Sequence, residues 1–195
     1  KAGRGILVGR GAGLRVGDIA KVDDEIGRQV VELANHVARP PRAQLHGVDV
    51  VTADGDNQLV IVSTGNGQVQ RRIAFEGIGA VSNPAWSPDG QYLAFSGSVG
   101  GISDLFLYDL ESDETIRLTD DKYADLQPAW APDGRTLAFT SDRGAETNFE
   151  RLTYGAFQLA TIDIATSQVR VIPVFGNVKH INPAYGADSE TLYFI

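Results

Sequence analysis

One phrase occurs three times in this chain: Pro84-Ala-Trp-Ser-Pro-Asp-Gly-Gln-Tyr-Leu-Ala-Phe95, Pro128-Ala-Trp-Ala-Pro-Asp-Gly-Arg-Thr-Leu-Ala-Phe139, and a weaker copy, Pro183-Ala-Tyr-Gly-Ala-Asp-Ser-Glu-Thr-Leu-Tyr-Phe194. The closing phenylalanines lie 44 and then 55 residues apart. Self-similarity at a period of roughly 40–50 residues marks architectures in which each repeat is one supersecondary unit that cannot bury its apolar faces alone. The phrase reads as strand, tight turn, strand. In Pro-Asp-Gly the proline presets φ and the glycine accepts the positive φ of a short hairpin loop. Leu93-Ala-Phe95 then runs apolar without polar alternation, as a strand covered on both faces does. The expected fold is all-β, a β-propeller of four-stranded antiparallel blades.

On that pattern the blades can be laid out as strands A to D. In the clearest unit, strand A falls near 82–87, B near 91–96, C at 104–109 and D at 115–119. The next repeats the order, with C near 157–163 and D near 169–174, and the extra length falls between B and C. Upstream the echo weakens: 48–52, 56–62 and 69–75 read as B, C and D, and before them 4–9, 17–23 and 29–33 do the same, with a helix over 24–38 as the competing reading. The predicted blade equivalents are 4–34, 43–75, 82–119, 126–174 and an incomplete 180–195, about four in all. Ile195 falls where strand B hands over to C, and half-built sheets leave an unpaired edge. The half-built last sheet points to a segment of a longer propeller, and the start at Lys1 with no methionine to a processed product or an internal piece.

The phrase Pro-Ala-Trp-Ser-Pro-Asp-Gly, the Leu-Ala-Phe strand, Asp104-Leu-Phe-Leu-Tyr-Asp109 and Arg117-Leu-Thr119 together resemble the repeat of TolB-like, or WD-like, propeller proteins. The likeness is strong over 82–142, good over 156–195 and faint before 56. Asp120-Asp-Lys-Tyr-Ala-Asp-Leu-Gln-Pro-Ala-Trp130 and Lys179-His-Ile-Asn-Pro183 are most similar to large secreted bacterial chains that pair such a propeller with a metallopeptidase-like domain. The resemblance implies an extracytoplasmic binding scaffold, usually in the periplasm or at the outer membrane. It implies no activity, because propellers host many functions.

The residues themselves offer little catalytic chemistry. A net charge of −8 argues against a nucleic-acid partner, which needs a clustered basic face. With no cysteine there is no disulfide framework, thiolate metal site or cysteine nucleophile. No apolar run is long enough for a membrane span. Gly9-Arg-Gly-Ala-Gly13 matches no dinucleotide fingerprint and reads as a loop. Ser96-Gly-Ser-Val-Gly100 lacks the first glycine of a nucleophile elbow. The three histidines, His36, His46 and His180, have no partners at metal-ligand spacing, and His180 reads as a surface or channel-lining residue. No metal or other cofactor is expected; calcium is the one ion that the acidic loops could suit, although none has the alternating grammar of an EF-hand.

Binding is the remaining possibility. In a propeller the D–A and B–C connections share one face, so the expected rim gathers Asp120, Asp121, Tyr123 and Asp125 with Asp142, Arg143, Phe149, Tyr154, Lys179 and His180. Loops on a rigid scaffold are where binding concentrates, and arginine and aromatic residues are enriched at hot spots. The plain alternative is that Phe149, Leu152 and Tyr154 fold back onto their own blade. Trp86 and Trp130 are expected in the core between blades. The leading expectation is therefore a non-catalytic scaffold presenting this rim to a protein or peptide. The alternatives are an accessory propeller of a peptidase, prolyl-oligopeptidase-like or metallopeptidase-associated, and a structural subunit of a larger assembly.

Overall fold

The computed structural model describes residues 46–53, 56–174 and 178–195, and among these every regular element is a strand. The strands and the alternative helix expected before residue 46 lie outside the described residues. The first sheet has three antiparallel strands in the order β1 (His46–Ala53), β2 (Asp56–Ser63) and β3 (Val69–Ala74). The second runs β4 (Gly79–Trp86), β5 (Tyr92–Val99), β6 (Ile102–Asp109) and β7 (Thr115–Arg117). The third repeats it with β8 (Asp125–Trp130), β9 (Thr136–Ser141), β10 (Gln158–Asp163) and β11 (Val169–Val171). A final hairpin pairs β12 (Ala184–Tyr185) with β13 (Leu192–Tyr193). β8 packs beside β4 on one side and β12 on the other, so the first strands of successive sheets share the inner side.

The repeated phrase forms the same hairpin in both strong copies. Gly90 and Gly134 hold φ of 71° and 70°, the left-handed conformation that an L side chain adopts only at a cost. Ser87 N–H donates to Tyr92 O at 2.9 Å and Ala131 N–H to Thr136 O at 2.8 Å, closing the two turns alike. The aspartates cap them, Asp89 accepting from Gln91 N–H at 3.0 Å and Asp133 from Arg135 N–H at 2.9 Å. In the weak copy Asp188 takes over, accepting from the N–H groups of Glu190 and Thr191 at 3.0 and 2.6 Å.

The uniformly apolar strands are explained by the two cores they serve. Along β5, Leu93 and Phe95 point into a cluster with Leu59, Ile61 and Ile73 of the first sheet. Their neighbours Tyr92 and Ala94 point the other way, into a cluster with Leu137, Phe139, Ala160 and Ile162 of the third. Successive side chains of a strand face opposite sides, so a blade between two blades needs apolar residues at every position. Trp86 and Trp130 pair with Leu93 and Leu137 at equivalent registers. Each is half-buried at the margin of its cluster rather than enclosed. Trp130 ties the blades, its indole N–H donating to Ala85 O at 3.2 Å.

Strand D of the third sheet is shorter than its sequence pattern, ending at Val171. Pro173 follows two residues on, and it has no N–H with which to extend a ladder.

Candidate functional site

The B–C connections of the two complete sheets differ in kind. β5 and β6 are joined by Gly100-Gly101 alone, with φ of 63° and 89°, as a two-residue primed turn requires. β9 and β10 are joined by residues 142–157, the insertion that the longer repeat interval predicts. It stands beside the D–A segment 118–124, and one side-chain and one backbone hydrogen bond stitch the two together. Ala124 N–H donates to Asp142 Oδ1 at 2.8 Å, and Asp142 N–H to Ala124 O at 3.3 Å.

Arg143 is the hub of this junction. Its Nη1 donates to Asp121 Oδ2 at 2.7 Å and its Nη2 to Asp125 Oδ2. Its guanidinium lies over the Tyr123 ring, 4.9 Å from the centroid. Tyr123 meets Phe149 edge-on at 5.2 Å, and Phe149 meets Tyr154 at 6.4 Å. A chain of contacts therefore runs from a buried carboxylate to exposed aromatic surface. Asp125 is fully enclosed and also accepts from Ser141 Oγ at 2.6 Å. Burial pushes its carboxyl up to about 6, against the pull of Arg143 and Ser141. Burial acts to lower the Arg143 guanidinium, but Asp125 and Asp121 together carry it upward.

A second pair underlies the neighbouring part of the rim. Asp104 of β6 is enclosed, accepting from Arg117 Nη2 at 2.6 Å, and burial raises its carboxyl despite that partner. Arg117 Nη1 reaches Asp120 at 2.8 Å. The signal for both pairs was in the sequence. An aspartate inside or opening an apolar strand is costly to bury unless a cation or donors meet it, and Arg117 and Arg143 are the cations at hand.

The insertion is shaped by its own bonds. Asn148 and Thr153 exchange backbone hydrogen bonds of 2.8 and 3.1 Å, Arg151 N–H donates to Asn148 Oδ1 at 2.9 Å, and Gly155 N–H donates to Thr147 Oγ1 at 2.9 Å. This small hairpin folds back through Phe149 alone, which is half-buried against Tyr123 with Lys122 Nζ 5.9 Å from its ring. Leu152 and Tyr154 stay outside, 72% and 63% exposed. Leu152, missed as a surface feature by sequence reasoning, holds φ of 53° at the tip, a conformation uncommon for a bulky residue.

The structure thus brings Asp121, Tyr123, Asp125, Asp142, Arg143, Phe149 and Tyr154 together, with Asp120 beside them on Arg117. Asp125 and Asp142 turn inward and support the rim from below. His180 is buried as well, its N–H donating to Phe157 O at 2.8 Å and its ring against Phe194 at 5.1 Å. Lys179 remains exposed, with Nζ 5.9 Å from the Phe157 ring. His180 and Lys179 therefore meet the far end of the insertion at Phe157. Among the described residues no three His, Asp or Glu side chains converge to hold a metal ion, and no helix is long and apolar enough to cross a membrane.

Four-stranded antiparallel sheets set side by side, each sharing an apolar face with the next, define a β-propeller. The model of the TolB beta propeller domain matches residues 50–195, and the chain belongs to that family. TolB from Acinetobacter baumannii is 21% identical with a TM-score of 0.59, over 77% of this chain and 34% of that one. A putative TolB from Agrobacterium tumefaciens is 19% identical with a TM-score of 0.60, over 77% and 55%. A puromycin-hydrolyzing peptidase of Mycobacterium tuberculosis is 16% identical with a TM-score of 0.57, over 80% and 24%. The chain therefore spans about a third to a little over half of these TolB structures. Among curated proteins nothing matches it.

Proposed function

We propose that this propeller is a non-catalytic scaffold that captures a protein or peptide on its D–A/B–C rim, in an extracytoplasmic setting such as the periplasm. The observation that carries the reading is the insertion: a hairpin held by its own hydrogen bonds and by Arg143, offering Leu152 and Tyr154 to solvent. Holding apolar side chains in place before contact lowers the ordering cost of association, and such anchors dominate interface energies. Tyr123, Phe149 and Lys122 would form the flank of the contact. The exposed carboxylates Asp120 and Asp121 would steer the approach and set its salt dependence.

The test is a photoreactive residue placed at position 152 or, as a control on the opposite face, at Ser112 in the C–D turn of the second sheet. A specific adduct at 152 and none at 112 is expected. Adducts at 112 alone would move the contact to the other face. A second reading, an accessory propeller of a peptidase, is favoured by the fold likeness to the mycobacterial peptidase. A catalytic domain elsewhere in the intact protein, whose activity depends on this propeller, would establish it.

A further inference from the structure

The groups around Asp125 form a switchable joint. From the loops, Arg143 and Asp121 act on it directly, while Asp142 is engaged with Ala124 N–H and Asp120 with Arg117. Lys122 and Tyr123 lie outward on the same segment, against Phe149 and Arg143. The strands packed on β8 add little charge. β4 and β9 carry no titratable side chain, and β5 and β12 contribute only Tyr92 and Tyr185, toward the A–B end. β6 brings Asp104, held by Arg117, with Tyr108 and Asp109 at its far end. Arg143 is thus the cation bonded to Asp125, and its own Nε is buried with no acceptor among the described residues.

We propose that Asp121, Arg143 and Asp125 form an acid-released latch, which clamps the insertion to the D–A loop while Asp125 is charged and frees it when Asp125 takes up a proton. Protonation turns a charge-assisted bond into a weak one and leaves the guanidinium to Asp121, the more exposed partner at 38% against 0%. Arg143 is then drawn toward water with Asp121. The Tyr123 ring loses the cation over its face, and Phe149 loses its backing. Burial places Asp125 at about 6, so the change falls in mildly acidic solution. Because that value lies above the ordinary 3.8, the fold as a whole gains from the protonation, and the loosening is local. Arg143 is accordingly a positioning residue, acting through Tyr123 and Phe149. The consequence for partner capture rests on the rim reading above; the latch does not.

Hydrogen–deuterium exchange of the intact protein tests it, with labelling times scaled for the intrinsic effect of pH. A His180→Gln background removes the imidazole of the residue whose backbone N–H meets the insertion at Phe157. Peptides covering 144–156 are expected to exchange roughly tenfold faster at pH 5 than at pH 7.5, the worth of one charge-assisted bond, while β5 and β10 do not change. Asp125→Asn should exchange fast at both pH values. If that variant fails to fold, Arg143→Lys, which keeps the charge but lacks the fork that spans two carboxylates, should do the same. Equal protection of 144–156 at both pH values in the parent would overturn the latch. Faster exchange at pH 5 with partner capture unchanged would instead uphold the latch and overturn its role at the rim.

Discussion

Replacing Arg143 with alanine removes the hub of the rim, and the cost depends on pH in a way the structure specifies. At pH 8 Asp125 is charged, fully enclosed and left with Ser141 Oγ as its remaining side-chain donor. Breaking a buried pair by deleting one partner costs about 3–5 kcal/mol. Ser141 and proton uptake by the stranded carboxyl hold the expected value near the lower end, about 3 kcal/mol. At pH 5 Asp125 is already largely neutral, since its folded value is about 6. Only the half-exposed bond to Asp121 is then lost, about 1 kcal/mol or less. The sign for the parent follows from the same shift. A carboxyl whose folded value lies above its unfolded 3.8 is a burden above pH 6 that is relieved as pH falls from about 6 toward 4. The full relief is on the order of 3 kcal/mol, read as the parent's stability minus that of Asp125→Asn at each pH. Urea denaturation of parent, Arg143→Ala and Asp125→Asn at both pH values gives all the terms. A cost for Arg143→Ala below about 1 kcal/mol and the same at pH 8 and pH 5 would refute a buried, charge-bearing hub.

Other substitutions probe the blades and the tip. Trp130→Phe should lose about 1 kcal/mol in urea denaturation through the missing bond to Ala85 O, and Trp130→Ala about 2–3 kcal/mol because the ring is only half-buried. A Cβ at Gly97 would lie 2.4 Å from Ile78 Cγ2, so Gly97→Ala should cost about 1–3 kcal/mol in urea denaturation, and that cost should shrink in an Ile78→Ala background, which removes the clashing methyl. Leu152→Asn keeps a residue that tolerates φ of 53°; thermal stability should hold or rise while association weakens.

The hairpins, their turns and the insertion were legible because each rests on local chemistry. Pro-Asp-Gly allows few other turns, and Leu-Ala-Phe without alternation demands cover on both faces. Orientation at the rim was not legible in the same way. Asp121 and Asp125 look alike in sequence, yet one faces water and the other is enclosed, because the pleat of β8 and the reach of Arg143 decide it. His180 reads as a surface or channel residue but packs inward against Phe194. The inner strands hide another feature. Asn83, Gln127 and Asn182, each before a proline, hold φ of 51°, 57° and 53°. Proline disfavours the right-handed helical region for the residue before it, but it does not by itself select positive φ. At Gln127 and Asn182 bonds between blades accompany the choice: Gln127 N–H reaches Ser96 Oγ at 3.0 Å, and Asn182 N–H reaches Gln127 Oε1 at 2.9 Å.

The most direct measurement is calorimetric titration of the intact protein with the partner found by cross-linking at position 152, before and after residues 146–154 are replaced by a short Gly-Ser linker. That change keeps Asp142 and Arg143, so the junction beneath the rim stays in place, and urea denaturation confirms that the variant is folded. If the hairpin is the anchor, affinity should fall about ten- to a hundredfold. Undiminished affinity in the folded variant would contradict capture at the rim and leave the insertion with a packing role alone.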